Sequence, residues 1–121
     1  MQRVTGLGGP FIKAKDPKML AEWYDKHLGT NFGGKVYTDF QDNTIPGYNV
    51  FSFFKEDNDY FAPSTKQVMI NFRVHDVFAL KKVLEEEGVT IVGEPMDEEY
   101  GKFIWIMDPE GNKIELWEPP K

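Results

Sequence analysis

The sequence predicts an α+β domain of two β-α-β-β-β modules. Their strands lie on one side of the two helices and leave the other sheet face free. Three observations predict this. Asp16 and Asp76 each precede a helix-like stretch and are 60 residues apart, while the glycines closing those stretches, Gly29 and Gly88, are 59 apart. Segments dense in branched and aromatic residues surround both stretches. Near the C-terminus, Asp108-Pro109-Glu110-Gly111 places Asp, Pro and Gly at the turn positions that favour them, between two such segments. A duplicated unit of strand, aspartate cap, helix, glycine stop and further strands accounts for all three. The modules span about residues 1–64 and 65–121 of a single domain covering 1–121.

The first helix is expected from Pro17 to Leu28. Asp16 can accept from free backbone N–H groups, Pro17 suits the first helical position, and Gly29 can take the left-handed conformation that stops the helix. Leu20, Trp23, Tyr24, His27 and Leu28 make its sheet-facing stripe. The second helix, Val77 to Glu87, repeats this with Asp76 as cap and Leu80, Val83 and Leu84 on its stripe. Its Glu85-Glu86-Glu87 run reads as a solvated face.

Val68 to Val74 alternates as a strand. Val68, Ile70, Phe72 and Val74 should pack beneath the helices, and Met69, Asn71 and Arg73 should point to the opposite face. By the repeat offset, Gly9, Phe11 and Lys13 correspond to this second set. Tyr48–Phe54 and Lys102–Met107 are further strands, and the fourth strand of the first module falls at Tyr60-Phe61-Ala62. The turn at 108–111 pairs Phe103–Met107 with Lys113–Trp117 as a hairpin. In that last strand, Lys113, Glu115 and Trp117 share the face of Met69, Asn71 and Arg73.

Composition narrows the function. Fourteen Lys and Arg against 20 Asp and Glu leave a net charge of −6, which argues against nucleic-acid binding through a clustered basic surface. With no cysteine, disulfides, thiolate nucleophiles and thiolate metal sites are excluded. No apolar run is long enough to span a membrane, and Met1–Pro10 lacks the layout of a secretion signal, so a cytoplasmic protein is expected. Ser52 and Ser64 have no evident base. The glycines at 6, 8, 9, 33 and 34 lack the placement of a phosphate loop and read as turns or a tight strand.

The stretch from Trp105 to Pro119, with Asp108-Pro109-Glu110-Gly111-Asn112 followed by Ile114-Glu115-Leu116, resembles the C-terminal signature of the vicinal oxygen chelate superfamily. That group includes glyoxalases, bleomycin resistance proteins and extradiol dioxygenases. The Asp16-Pro17 helix with Trp23-Tyr24 and Leu28-Gly29 is similar to its N-terminal helix, and the paired modules extend the likeness over essentially the whole chain. The resemblance implies a curved mixed sheet, a half-barrel with both helices on its convex side, a ligand site on its concave face and a homodimer. In many members it also implies a divalent metal held by a histidine from the first strand of each module and a glutamate of the last strand. Carried over by position, the glutamate is Glu115, while the histidine positions hold Met69 and Gly9. Glycine has no side chain and a thioether is a poor ligand for zinc or iron(II), so the metal triad is incomplete. The two histidines, His27 on a helix stripe and His75 beside a cap, read as structural or surface residues.

Glu115 is the candidate catalytic residue, and a metal ligand only if a metal binds. Its plainer reading is an internal ion pair or hydrogen bond with Arg73 or Asn71, because a buried carboxylate without a partner is costly. Arg73 could clamp an anionic group of a ligand, or simply neutralise Glu115. The candidate ligand-binding set is Arg73, Asn71, Met69, Tyr48, Phe51 and Trp105, aromatic walls with few polar groups that suit a flat or apolar small molecule. The leading reading is therefore a small-molecule binder of this superfamily without the usual metal. The alternatives are a metal-dependent lyase, isomerase or dioxygenase with substituted ligands, and a non-catalytic interaction module.

Overall fold

The computed structural model describes residue 3, residues 9–41 and residues 48–121. Gly6, Gly8 and most of the Met1–Pro10 segment lie outside them. The class is α+β, as expected.

Helix α1 spans Pro17–Leu28 and is set by its ends. Asp16 Oδ1 accepts the Met19 N–H at 3.1 Å, Pro17 takes the first turn where no N–H is needed, and Gly29 closes it at φ 67°. Helix α2, Val77–Glu86, is built alike: Asp76 Oδ1 accepts from Ala79 N at 3.2 Å, and Gly88 at φ 80° follows the end. Between and after the helices run β1 (Ile70–Arg73), β2 (Thr90–Glu98), β3 (Gly101–Met107) and β4 (Lys113–Glu118).

These strands form one mixed sheet in the order β1-β4-β3-β2, with β1 parallel to β4 and the other neighbours antiparallel. The second module is thus complete as β-α-β-β-β. The expected hairpin is β3–β4, closed by a Gly111 N–H to Asp108 O bond of 3.3 Å.

Strand alternation divides the sheet into two faces. On one, Ile104, Ile106, Ile114 and Leu116 meet Leu20 and Tyr24 of α1 and Val77 and Leu84 of α2 in the main core. Burying each of these aliphatic side chains is worth about 1.5–3 kcal/mol, which makes this face the chief source of stability. On the other, Phe103, Trp105 and Trp117 form a second cluster flanked by Tyr60, Met69, Val92 and Met96. Among the described residues no helix covers that face; its three rings are buried by neighbours that include Tyr60 and Met69.

The first module differs from expectation. Among the described residues it contributes α1 and no strand. Tyr48–Phe54 pairs with no strand among the described residues, Phe51 and Phe53 being 73% and 87% exposed. A strand needs a neighbour for its backbone N–H and C=O groups, and aromatic content alone does not supply one. The Tyr60-Phe61-Ala62 segment is a pair of turns, with Ala62 N donating to Asp59 O at 3.0 Å and Ser64 N to Phe61 O at 2.9 Å. The sheet is accordingly open, not closed into a barrel.

Tyr24 Oη donates to buried Asp108 at 2.8 Å, and Glu110 accepts the N–H groups of Lys15 and Asp16 at 2.6 and 3.0 Å. At the other helix ends, His27 Nδ1 lies 2.8 Å from Glu87 Oε1, one residue and its counterpart 60 positions on. One member of the glutamate run expected to be solvated therefore ties the two helices together.

Candidate functional site

The site is built where β1, β4 and β3 lie side by side. Register places Asn71 opposite Glu115 and Glu115 opposite Trp105, so three side chains converge on the helix-free face. Glu115 Oε2 accepts from Asn71 Nδ2 at 2.6 Å. Its Oε1 accepts from Trp105 Nε1 at 3.0 Å and from the Tyr60 hydroxyl at 2.6 Å. Three neutral donors thus satisfy the carboxylate. The ion pairs among the described residues are His27–Glu87, Lys81–Glu85 and Lys102–Glu118, so Arg73 is not the partner of Glu115. Asn71, the other candidate, is.

Lys113 stands one alternation before Glu115. Its Nζ donates to the Tyr60 carbonyl at 2.6 Å and lies 5.2 Å from the Tyr60 ring centroid and 5.8 Å from that of Trp105. Burial lowers the Lys113 pKa from its ordinary value, opposed by the nearby charges of Glu115 and Asp59. Burial also raises the Tyr60 hydroxyl's pKa, and its bond to Glu115 and that residue's charge raise it further. Tyr60 therefore stays a neutral donor and Glu115 its acceptor.

Beside this polar group runs an aromatic platform. Trp105 and Trp117 each lie nearly parallel to Phe103, at 10° and 8°, with centroids 6.2 and 6.3 Å apart. Trp105 is 9% exposed. Met69 packs against this cluster. Tyr48 meets Trp117 edge-on at 5.2 Å, while Phe51 touches Phe53 and is largely exposed. Arg73 pairs in register with Trp117 at the exposed end of β1. Of the six candidates, Asn71 and Trp105 bind Glu115 directly, Met69 and Tyr48 border the platform, and Phe51 contacts no member of it among the described aromatic pairs.

Two open clefts of about 430 and 220 Å³ lie elsewhere, the first lined by Lys13, Lys15, Lys66 and Glu110, the second by Phe11, Lys13, Val68 and Asn112 among others. Neither includes Glu115.

The donor set does not fit the transition metal of the wider fold family. Both oxygens of Glu115 are engaged by protein donors, Met69 is packed into the aromatic cluster, and Gly9 offers no ligand. Among the described residues, no three His, Asp or Glu side chains gather to hold a metal ion.

Tyr60 and Lys113 were not among the candidate site residues read from the sequence. Lys113 shared the face of Glu115 by alternation, which is a usable signal. Tyr60 is 55 residues from Glu115 and sits on a turn read as a strand, so no periodicity connected them.

Comparison with known proteins agrees with this architecture. No curated protein matches the chain. Among solved structures, a member of the glyoxalase/bleomycin resistance protein/dioxygenase superfamily from Sphaerobacter thermophilus DSM 20745 is 20% identical, with a TM-score of 0.53 over 88% of this chain and 91% of its own. The integron cassette protein VCH_CASS1 from the mobile metagenome of V. cholerae is 19% identical, with a TM-score of 0.55 over 85% and 86%. These two likenesses are of fold. TnmS3, an antibiotic binding protein from Streptomyces sp. CB03234, is 33% identical over 44% of each chain with a TM-score of 0.40, so this chain spans less than half of its length. The sequence pattern of the Glyoxalase/Bleomycin resistance protein/Dioxygenase superfamily covers residues 7–116, nearly the whole chain, and the protein belongs to that superfamily.

Proposed function

We propose that this protein binds a small, flat organic molecule on the helix-free face of its sheet, without a metal. Glu115, Asn71 and Lys113 supply the polar contacts, and Trp105, with Phe103 and Trp117, the apolar surface. One observation carries this reading: a carboxylate satisfied by three neutral donors stands beside three nearly parallel rings. Parallel rings favour planar ligands by offset stacking, and a few placed polar groups fix orientation. Arg73, Met69 and Tyr48 border the same surface and complete the proposed ligand contacts.

A homodimer in the cytoplasm is part of the same proposal. Phe40, Phe51 and Phe53 of the first module are exposed in the single chain, and covering them with a second copy would remove apolar surface from water. Sedimentation equilibrium checks that part, a monomer at all concentrations refuting it.

The binding test is calorimetric titration with fused-ring aromatics and their fully saturated counterparts. Saturable binding of the flat compounds, at least about tenfold tighter than the saturated ones and lost in Trp105→Ala, is expected. Equal binding of both series, or binding untouched by Trp105→Ala, overturns the reading. Elemental analysis tests the rival, a metal-dependent lyase, isomerase or dioxygenase: a stoichiometric metal lost together with activity in Glu115→Ala would favour the enzyme.

A further inference from the structure

Resting on the ligand-binding reading, one feature narrows the ligand class. The polar centre of the site is not open. Its best hydrogen-bonding position is filled by a side chain of the protein itself, Tyr60.

Tyr60 makes three contacts that a small aromatic ligand could make there, with Glu115, Trp105 and Lys113. Its hydroxyl donates to Glu115 Oε1 at 2.6 Å, beside the Trp105 N–H that shares this oxygen. Its ring meets Trp105 edge-on, with centroids 6.1 Å apart and planes at 83°. The Lys113 ammonium lies 5.2 Å from its ring centroid, where an electron-rich ring is favoured.

The segment carrying Tyr60 is held together locally and hydrogen-bonded to the sheet through this residue, while Tyr48 adds a ring contact with Trp117. Asn58 N donates to Lys55 O, Asn58 Oδ1 accepts from Tyr60 N, Ala62 N donates to Asp59 O and Ser64 N to Phe61 O. The hydrogen bonds from residues 48–64 to the sheet, among those described, are the Tyr60 hydroxyl to Glu115 and Lys113 Nζ to the Tyr60 carbonyl. Tyr60 can therefore leave the site with the local turns intact, at the cost of two hydrogen bonds and its ring contacts.

We propose that Tyr60 is an internal occupant of the ligand position, and that the ligand which replaces it is a neutral hydroxyaromatic molecule. The hydroxyl of that ligand donates to Glu115 and its ring takes the place of the Tyr60 ring against Trp105 and Lys113. A carboxylate or phenolate presented to Glu115 is rejected by like charge. A ring lacking a donor leaves the carboxylate with an unfilled acceptor position and binds more weakly. Because the ligand competes with Tyr60, its apparent affinity is reduced by the fraction of molecules in which Tyr60 is docked.

The test uses three probes of one size, 2-naphthol, 2-methoxynaphthalene and 2-naphthoate, titrated calorimetrically into the wild type, Tyr60→Ala and Tyr60→Phe. Expected is binding of 2-naphthol about tenfold tighter to Tyr60→Ala than to the wild type, with a smaller gain in Tyr60→Phe. In Tyr60→Ala, 2-methoxynaphthalene should bind at least about tenfold more weakly than 2-naphthol, and 2-naphthoate not measurably. Should Tyr60→Ala fail to fold, Tyr60→Phe decides the question, since it keeps the ring and loses only the hydroxyl. Equal affinities of 2-naphthol for the wild type and the folded variants, or equal affinities of the hydroxyl and methoxy probes, overturn the role of Tyr60 while leaving an aromatic-binding site in place. Absence of saturable binding by all three probes overturns both proposals.

Discussion

Replacing Glu115 separates the shape of the site from its charge. In Glu115→Gln the side-chain oxygen can still accept from Tyr60 and Trp105, and the new amide nitrogen faces Asn71, whose own amide can turn to present its oxygen. Three bonds to a charged acceptor become neutral ones, a loss of about 1 kcal/mol each. Against this stands the relief of no longer holding a charge away from water, worth several kcal/mol in favourable cases. The two effects nearly cancel, so Glu115→Gln should change stability by no more than about 1 kcal/mol. Glu115→Ala instead leaves the half-buried Tyr60 hydroxyl and the Trp105 N–H without an acceptor, and should cost about 2–4 kcal/mol at about 1–2 kcal/mol per stranded donor. Urea denaturation at neutral pH reads both, provided the slope with denaturant stays constant. A glutamine variant as unstable as the alanine one would show that the carboxylate's charge is itself needed, as it would be for binding a cation. An alanine variant as stable as the wild type would show that the three donors do not depend on Glu115.

Three further outcomes test other parts of the structure. Tyr24→Phe removes one of the donors to buried Asp108 and should cost about 1–3 kcal/mol, with a smaller loss when measured in an Asp108→Asn background; equal losses in both backgrounds would deny the contact. Bonds from Phe32 N, Thr30 and Gly33 N hold the Asp25 carboxyl below its ordinary 3.8. The folded state thus binds this proton later than the unfolded chain, and the stabilisation is complete above pH 3.8 and lost as pH falls through the lower folded value. Urea midpoints followed into acid should drop less steeply in Asp25→Asn than in the wild type, parallel curves refuting the assignment. A Cβ at Gly101, where φ is +136°, would sit 2.7 Å from the Glu118 carbonyl and run into the Trp117 indole, so Gly101→Ala should cost about 1–3 kcal/mol in thermal or urea unfolding.

The parts of the structure legible in the sequence are those written in local chemistry. Asp16 and Asp76, Gly29 and Gly88 mark the helices, because caps and stops act on backbone groups a few residues away. The alternation of Ile70, Asn71, Phe72 and Arg73 was enough to place Asn71 on the face of Glu115. Tyr48–Phe54 failed for the same reason in reverse: strand-like composition states a preference, whereas pairing depends on a neighbour that composition does not name. Tyr60 was misread because its role is non-local. Its phenol is placed by turns at 58–64 and meets a carboxylate from the far end of the chain.

The signature turn and the site glutamate divide two tasks between adjacent stretches of one hairpin. Asp108 accepts from Tyr24, Glu110 N, Asn112 N and Asn112 Nδ2, while Glu110 caps the backbone just ahead of α1. The turn therefore anchors the first module's helix and takes no part in the proposed ligand surface. From Lys113 onward the two-residue period of β4 assigns Ile114 and Leu116 to the helices and Lys113, Glu115 and Trp117 to the opposite face. A slip of one residue would exchange these sets, burying a carboxylate among aliphatic side chains and exposing two fully buried ones. The Asp108 network prevents that slip by fixing where β4 begins. A motif that lies apart from the Glu115 cluster thereby decides which way Glu115 faces, and the proposed site depends on it.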